Sequence, residues 1–436
     1  VTETTGNQNL NPLEKENQRL RMAVEELSIL NEIAITISSA HSLDRVVELI
    51  VQKCIKHLKV EQGAVMLLQE ENQDSPFRTM VRQADASTMS RILPFRLDTQ
   101  LTGWMLKNQK PLVINDFDKD DRFQKGELED FSIRSLLSVP LRLKGKMIGL
   151  LTVFNKKIGS GFSDDDQRLL SIISAQSAQV IDNARLHEEE KTYLMMQEQM
   201  RLARDIQMRL LPESSPKIEG YEIAGYSVPA QEVGGDYYDF ISYDEDQLAI
   251  CLGDVSGKGI PAAMLMSNLQ ATLRGQVLTK VSPKECLSRA NTLLYHSTDF
   301  KKFATVFYGV LDFKNHQLVY TNGGHDDPIF LSKDKEPQRL SSGGTVLGFV
   351  EEFAYTEDTI PLKPADFFVI YSDGITEAMN LQEEEFGEER LMSVIKKFND
   401  QTPQKIIDEI IKSVDAHVGT APQMDDMTLV VIKRTK

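Results

Sequence analysis

Cysteine is scarce in this 436-residue chain. Three occur, Cys54, Cys251 and Cys286, and no two form a Cys-x-x-Cys pair. That excludes a disulfide framework and a thiolate zinc site, and it fits a reducing compartment, the cytoplasm. No apolar run approaches the roughly 18–20 residues of a membrane-crossing helix, so no membrane segment is expected. Positive charge is short as well: 49 Lys and Arg stand against 65 Asp and Glu, a formal charge of −16. Nucleic acid and anionic membrane surfaces are therefore poor partners. No secretory leader is visible, although the chain opens at Val1 rather than Met, which leaves an upstream segment open. Finally, neither Gly nor Pro lies between Ser163 and Pro212, so nothing there stops a long helix.

What is present is a soluble, multidomain composition, 41% apolar and 26% charged. The length predicts about two or three domains. We expect a tail with a short coiled coil (1–27), an α/β sensor (28–183), a helical linker (184–215) and an effector (216–436). Leu13, Leu20 and Leu27 recur at seven, with Ala23 and Leu30 between. That is either a coiled-coil seam or an amphipathic helix packed on its own domain. In the sensor, a helix over 44–56 precedes strands at 63–68, 79–82, 111–114, 138–143 and 147–155. Lys144-Gly145-Lys146 makes the last hairpin turn.

Ser163, followed by three aspartates, caps the long helix. Forty-odd helical residues reach about 65 Å. Leu186, Glu189, Tyr193, Met196, Met200, Ala203, Gln207 and Leu210 fall in an a/d register. Glu189 and Gln207 make that seam impure, hence adjustable. In the effector, paired strands (221–228, 234–242, 247–254) precede helices (261–278, 283–298). More strands at 304–312, 316–321, 328–332 and 366–372 lead to helices at 388–398 and 403–417 and a last strand. Paired strands without regular βαβ alternation point to two packed antiparallel sheets flanked by helices.

Within the effector, four aspartates end apolar runs or adjoin glycine. Asp236 follows Val233-Gly234-Gly235, and Asp254 follows Leu248–Gly253. Asp373 follows Phe367–Ser372 and precedes Gly374, while Asp425 opens Asp-Asp-Met-Thr before a final apolar run. Taken singly, each is an ordinary turn residue. Together they form an all-oxygen donor set of the kind that hard cations take. Such ions activate water against phosphorus.

The strings VGGDYYDF (233–240), GDVSGKGIPAAM (253–264), FATVFYGVLD (303–312), NGGH (322–325), YSDGITEAMN (371–380), FGEERL (386–391) and DDMTLVVIK (425–433) occur in one order. That set resembles the PPM family of metal-dependent serine/threonine phosphatases, in its SpoIIE/RsbU-like branch. The resemblance implies an α/β-sandwich and two divalent cations, Mn²⁺ or Mg²⁺. It implies Asp236, Asp254, Asp373 and Asp425 as ligands, Asp254 bridging, with the Val255 carbonyl as a further donor. Asp425 is preferred over Asp426, the first acid of the pair being the usual ligand. Gly235, Asp239, Asp426 and Lys258 are expected to support the site; Asp239 and Asp426 could substitute as ligands, and Lys258 could meet phosphate or cap a turn. The chain departs from the wider family at Ser256, at Gln231-Glu232 and at Asp326-Asp327 after the NGGH string. These departures leave the leaving-group acid and phosphate anchor unassigned.

The sensor strings LTGWMLKNQKPLVIND (101–116), SLLSVPLRLKGKMIGLLTVFNK (135–156) and FSDDDQRLLSIISAQSAQVIDNARL (162–186) resemble a GAF domain. Its ligand, if it takes one, is unknown from the residues. Asn155-Lys156, Phe162 and Asp166 resemble the NKxnFxxxDE motif of cyclic-nucleotide GAF domains, with Gln167 in place of its final Glu, and that resemblance implies a Lys156–Asp166 salt bridge where the last strand meets the helix. The seams Leu13–Leu30 and Leu186–Leu210 flank the sensor and predict a parallel homodimer, so the whole reads as a cytoplasmic signalling phosphatase. Its implied substrate is a phosphoprotein, a STAS-type anti-anti-sigma factor. The rivals are a non-catalytic sensor and scaffold, and a small-phosphoester hydrolase.

Overall fold

The computed structural model describes residues 42–68, 77–83, 99–120, 122, 133–159, 161–298, 302–332 and 335–436, with isolated positions between 16 and 28. The N-terminal leucine seam, Leu13 to Leu30, lies almost wholly outside the described residues. The chain divides into two compact units, Val1–Met195 and Met196–Lys436. Among the described residues no helix is long and apolar enough to cross a membrane. All three cysteines are free and buried.

The first unit is built on a five-stranded antiparallel sheet ordered β2-β1-β5-β4-β3. Its strands are β1 (Val60–Leu68), β2 (Phe77–Gln83), β3 (Leu112–Ile114), β4 (Leu136–Leu143) and β5 (Lys146–Lys156). Alternate side chains leave a strand on opposite faces. Val65, Leu67, Leu151 and Val153 accordingly pack with Val46, Ile50 and Val51 of α1 (Leu43–Leu58). Leu170 and Ile173 of the long helix α3 (Asp164–Met208) join that cluster. Ala64, Met66, Leu150 and Phe154 pack on the other face with Met105 of α2 (Thr99–Asn108). Ser42 caps α1 by accepting from the Arg45 amide.

The predicted ion pair is formed. Lys156 Nζ lies 2.6 Å from Asp166 Oδ1, with both side chains largely shielded. Asp166 also accepts from the Ser163 amide at 3.0 Å, and the Asp166 amide donates to Ser163 Oγ at 3.3 Å. This reciprocal cap opens α3 while its salt bridge ties the helix start to the end of β5. The helix then runs 45 residues without a break, since it contains neither Gly nor Pro.

The second unit is a sandwich of two sheets. Strands β6 (Tyr221–Val228), β15 (Phe367–Tyr371) and β16 (Met427–Arg434) form one sheet with β11 (Ile329–Leu331) and β12 (Gln338–Arg339), ordered β12-β11-β15-β16-β6. The other contains β7 (Tyr237–Ser242), β8 (Gln247–Val255), β9 (Ala304–Asp312), β10 (Gln317–Gly323) and β13 (Gly343–Gly344), with β14 (Asp358–Pro361) added beside β10. Leu248, Ile250 and Leu252 of β8 point inward against Phe368, Ile370, Val430 and Ile432 of the facing sheet. Ala249 and Cys251 point outward, under Leu269 and Leu273 of α4 (Ile260–Val277) and Leu287 of α5 (Pro283–Ser297). On the far side Val369, Leu429 and Val431 meet α7 (Gly387–Lys397) and α8 (Pro403–Val418) through Leu391, Ile406 and Ile410. Strands buried on both faces read as continuous apolar runs, which is why the central ones were legible.

Candidate active site

Each predicted acid sits at or beside one end of a strand. Asp236 immediately precedes β7, and Asp254 is the next-to-last residue of β8. Asp373 opens α6 (Asp373–Thr376), a single turn directly after β15, and Asp425 lies two residues before β16. The two sheets bring these ends together. Ser372 Oγ accepts from the Thr428 amide at 2.9 Å and donates to the Asp426 carbonyl at 3.1 Å, which fastens Asp373 beside the 425–426 pair. Gly374 packs against the Asp426 backbone so closely that a Cβ would overlap it. A Cβ on Gly235 would stand 2.8 Å from the Val255 carbonyl oxygen and 3.4 Å from Asp254 Oδ1, so only glycine lets the Asp236 turn approach β8.

Crowding shows in the protonation of the acids. Burial, then the charges of Asp254 and Asp426, pushes Asp236 well above the usual carboxylate range. Burial, then Asp373, Asp425 and Asp426, pushes Asp254 up to about 7. Burial and Asp425 raise Asp373. Asp236 Oδ2 is buried without a hydrogen-bond partner. An orphaned carboxylate oxygen among repelling acids is the environment a hard cation stabilises, and the donors are all oxygen, as Mg²⁺ or Mn²⁺ requires. Among the described residues no three His, Cys, Asp or Glu side chains already form a ready ligand shell. Lys258 Nζ lies 2.8 Å from Asp425 Oδ2.

The supporting residues divide. Asp426 is a backbone clamp: Oδ1 accepts from the Ala230 amide at 2.8 Å, and Oδ2 accepts from Gly235 at 2.6 Å and Asp236 at 3.2 Å. Three N–H donors shape the turn that presents Asp236. Asp239, predicted to support the metal site, lies in a separate buried cluster. It accepts from the Tyr237 hydroxyl at 2.6 Å and from Arg274 Nε at 2.7 Å, tying β7 to α4. Its side chain on β7 is directed to that helix face, because residue 239 falls an odd number of positions from the strand's inward-facing Tyr238.

Two participants escaped the sequence reading. Asp326 is pushed up to about 6 by burial and then by Asp373, Glu388 and Glu377, so it belongs to the same electrostatic field. Its signal was the unusual Asp326-Asp327 pair, a departure from the family pattern. Gln207, taken as a polar seam residue, is buried in the second unit. Its Oε1 accepts from the Gly234 amide at 3.0 Å and its Nε2 donates to the Gly234 carbonyl at 2.7 Å. Seam residues Leu186, Tyr193 and Met196 are exposed, whereas the last turn of α3 faces the Asp236 turn. His325 is buried, with Nδ1 2.9 Å from Thr305 Oγ1. Burial lowers it to about 4, so the ring is a neutral hydrogen-bonding core residue.

A sensor unit with an antiparallel sheet, joined by one helix to a carboxylate-lined β-sandwich, defines a GAF-linked PP2C-type phosphatase. The GAF domain model matches residues 40–182, and the stage II sporulation protein E (SpoIIE) model matches 244–435. Phosphoserine phosphatase RsbU of Bacillus subtilis is 30% identical over 258 residues, 57% of this chain and 75% of that one. Protein IcfG of Synechocystis sp. is 31% identical over 258 residues, 53% of this chain and 40% of that one. The chain thus spans well under half the length of IcfG. The solved SiaA PP2C domain of Pseudomonas aeruginosa aligns with 56% of this chain and 98% of its own at 20% identity and a TM-score of 0.49. The chain belongs to the RsbU-like, SpoIIE-type family of PPM serine/threonine phosphatases.

Proposed function

We propose that this protein is a Mn²⁺- or Mg²⁺-dependent protein phosphatase whose GAF unit controls hydrolysis of phosphoserine or phosphothreonine on a STAS-type anti-anti-sigma factor. The observation that carries it is the meeting of Asp236, Asp254, Asp373 and Asp425 at strand ends, with Asp236 Oδ2 buried and unpartnered. The similarity to RsbU, a phosphoserine phosphatase, supports the substrate class. Asp254 would bridge two ions, with the Val255 carbonyl, Asp236, Asp373 and Asp425 completing the donors. Bound divalent cations supply positive charge for the phosphoryl oxygens and a more acidic water. The chain's own residues set the geometry: Asp426 fixes the turn that bears Asp236, and Ser372 fixes Asp373 against β16. The sensor residues 28–183 and effector residues 216–436 act through the linker 184–215, in a parallel homodimer in the cytoplasm. The exposed Leu186, Tyr193 and Met196 support helix pairing there.

The test is hydrolysis of a serine-phosphorylated STAS protein, and of p-nitrophenyl phosphate, under Mn²⁺ titration. Wild type should release phosphate in a metal-dependent way and prefer the phosphoprotein, while Asp254→Asn should be folded and inactive. Metal-independent binding without turnover would favour the scaffold reading. A preference for the small ester would overturn the protein-substrate assignment.

A further inference from the structure

Lys258 lies in the turn between β8 and α4, flanked by Gly257 and Gly259. Its Nζ is 2.8 Å from Asp425 Oδ2 and donates to the Met424 carbonyl at 2.5 Å. Its charge also works against the rise imposed on Asp373 by burial and by Asp425. Among the described residues it is the one cation in ion-pair contact with any of the four acids. We propose that Lys258 is an exchangeable counter-ion: its ammonium serves Asp425 when no divalent cation holds that carboxylate, and the phosphoryl group when one does. The inference rests on the metal reading above.

The exchange follows from simple electrostatics. The two side chains are 47% and 38% exposed, so solvent screens the pair and its attraction is weak. A doubly charged ion sharing Asp425 would repel the ammonium more strongly than that pair attracts it. The lysine leaves and the metal stays. Lys258 remains tethered by the short turn beside Asp254 and Asp425. A phosphoryl dianion brought to the ions would meet the released ammonium there. This supplies a phosphate anchor that the sequence motifs had left unassigned.

Calorimetric Mn²⁺ titration of the full chain tests the exchange, with wild type, Lys258→Met and Lys302→Met compared. Lys302 carries the same charge close by, with Nζ 3.4 Å from the Ser256 carbonyl, but makes no ion pair with Asp425. Lys258→Met should tighten Mn²⁺ binding about 2–5-fold, the range of an exposed ion pair. It should also weaken binding of inorganic phosphate to the Mn²⁺-loaded protein by at least about threefold. Lys302→Met should leave the Mn²⁺ affinity unchanged. General structural damage would loosen metal binding, so tightening is not a folding artefact. An unchanged Mn²⁺ affinity in Lys258→Met, equal tightening in Lys302→Met, or unchanged phosphate affinity overturns the exchange. A wild-type chain that binds no Mn²⁺ removes the metal reading itself, which keeps the two failures distinguishable.

Discussion

Replacing Asp426 with Asn keeps the shape of the side chain and reverses the polarity of half of it. In the native protein the carboxylate accepts three backbone N–H groups, from Ala230 at 2.8 Å, Gly235 at 2.6 Å and Asp236 at 3.2 Å. Whichever way the amide turns, its NH₂ faces at least one of those donors. One hydrogen bond to a charged group is lost, about 1.5–3 kcal/mol, and a buried N–H is left without an acceptor, about 1–3 kcal/mol. Against this, removing the charge relieves repulsion on Asp236 and Asp254, both raised by Asp426. The relief is smaller, on the order of 1–2 kcal/mol, so the net loss is about 2–4 kcal/mol. For a unit of this size that lowers the melting temperature by roughly 5–15 °C. Scanning calorimetry in EDTA reads the effect without bound metal. Asp425→Asn, which loses only an exposed ion pair, should melt within about 2 °C of wild type. Asp426→Asn melting with the wild type while losing all Mn²⁺-dependent turnover would refute the clamp and make Asp426 a ligand.

Gln207→Ala leaves the Gly234 amide and carbonyl without their shared partner, a cost of about 1–3 kcal/mol each. Hydrogen exchange at 232–236 should quicken by at least tenfold, and unchanged protection there would show that the end of α3 does not brace the Asp236 turn. His325 is held neutral, its value lowered by burial from the usual 6.5 to about 4. The unfolded chain therefore binds more protons between those values, and stability rises with pH across the window. The stability margin of wild type over His325→Asn should shrink by about 3 kcal/mol as pH falls from about 6.5 to 4. Urea titrations at several pH values check this, and a margin independent of pH would refute it.

Much of the architecture was legible in the residues because it rests on local rules. Strands β8, β9, β15 and β16 are buried on both faces, so each reads as a largely apolar run with Asp, Gly or Ser at or beside one end. Pro283 and Pro403 open α5 and α8, where a missing amide proton costs nothing. The Lys156–Asp166 bridge was readable because it spans only ten residues across one strand-to-helix corner. What the tertiary structure decided is the division of labour among acids that look alike in the chain. Asp425 and Asp426 are adjacent, yet one meets Lys258 while the other clamps a turn 190–196 residues away. Asp239 stands three residues after Asp236 but pairs with Arg274 on a helix, because strand alternation turns it from the cluster. Asp326 joins the site from a third loop, and Gln207 braces it from a helix whose heptad pattern pointed elsewhere. Residue type and spacing determine which groups can carry the chemistry. Long-range hydrogen bonds and burial, which no local pattern encodes, determine which of them face the same few ångströms of space.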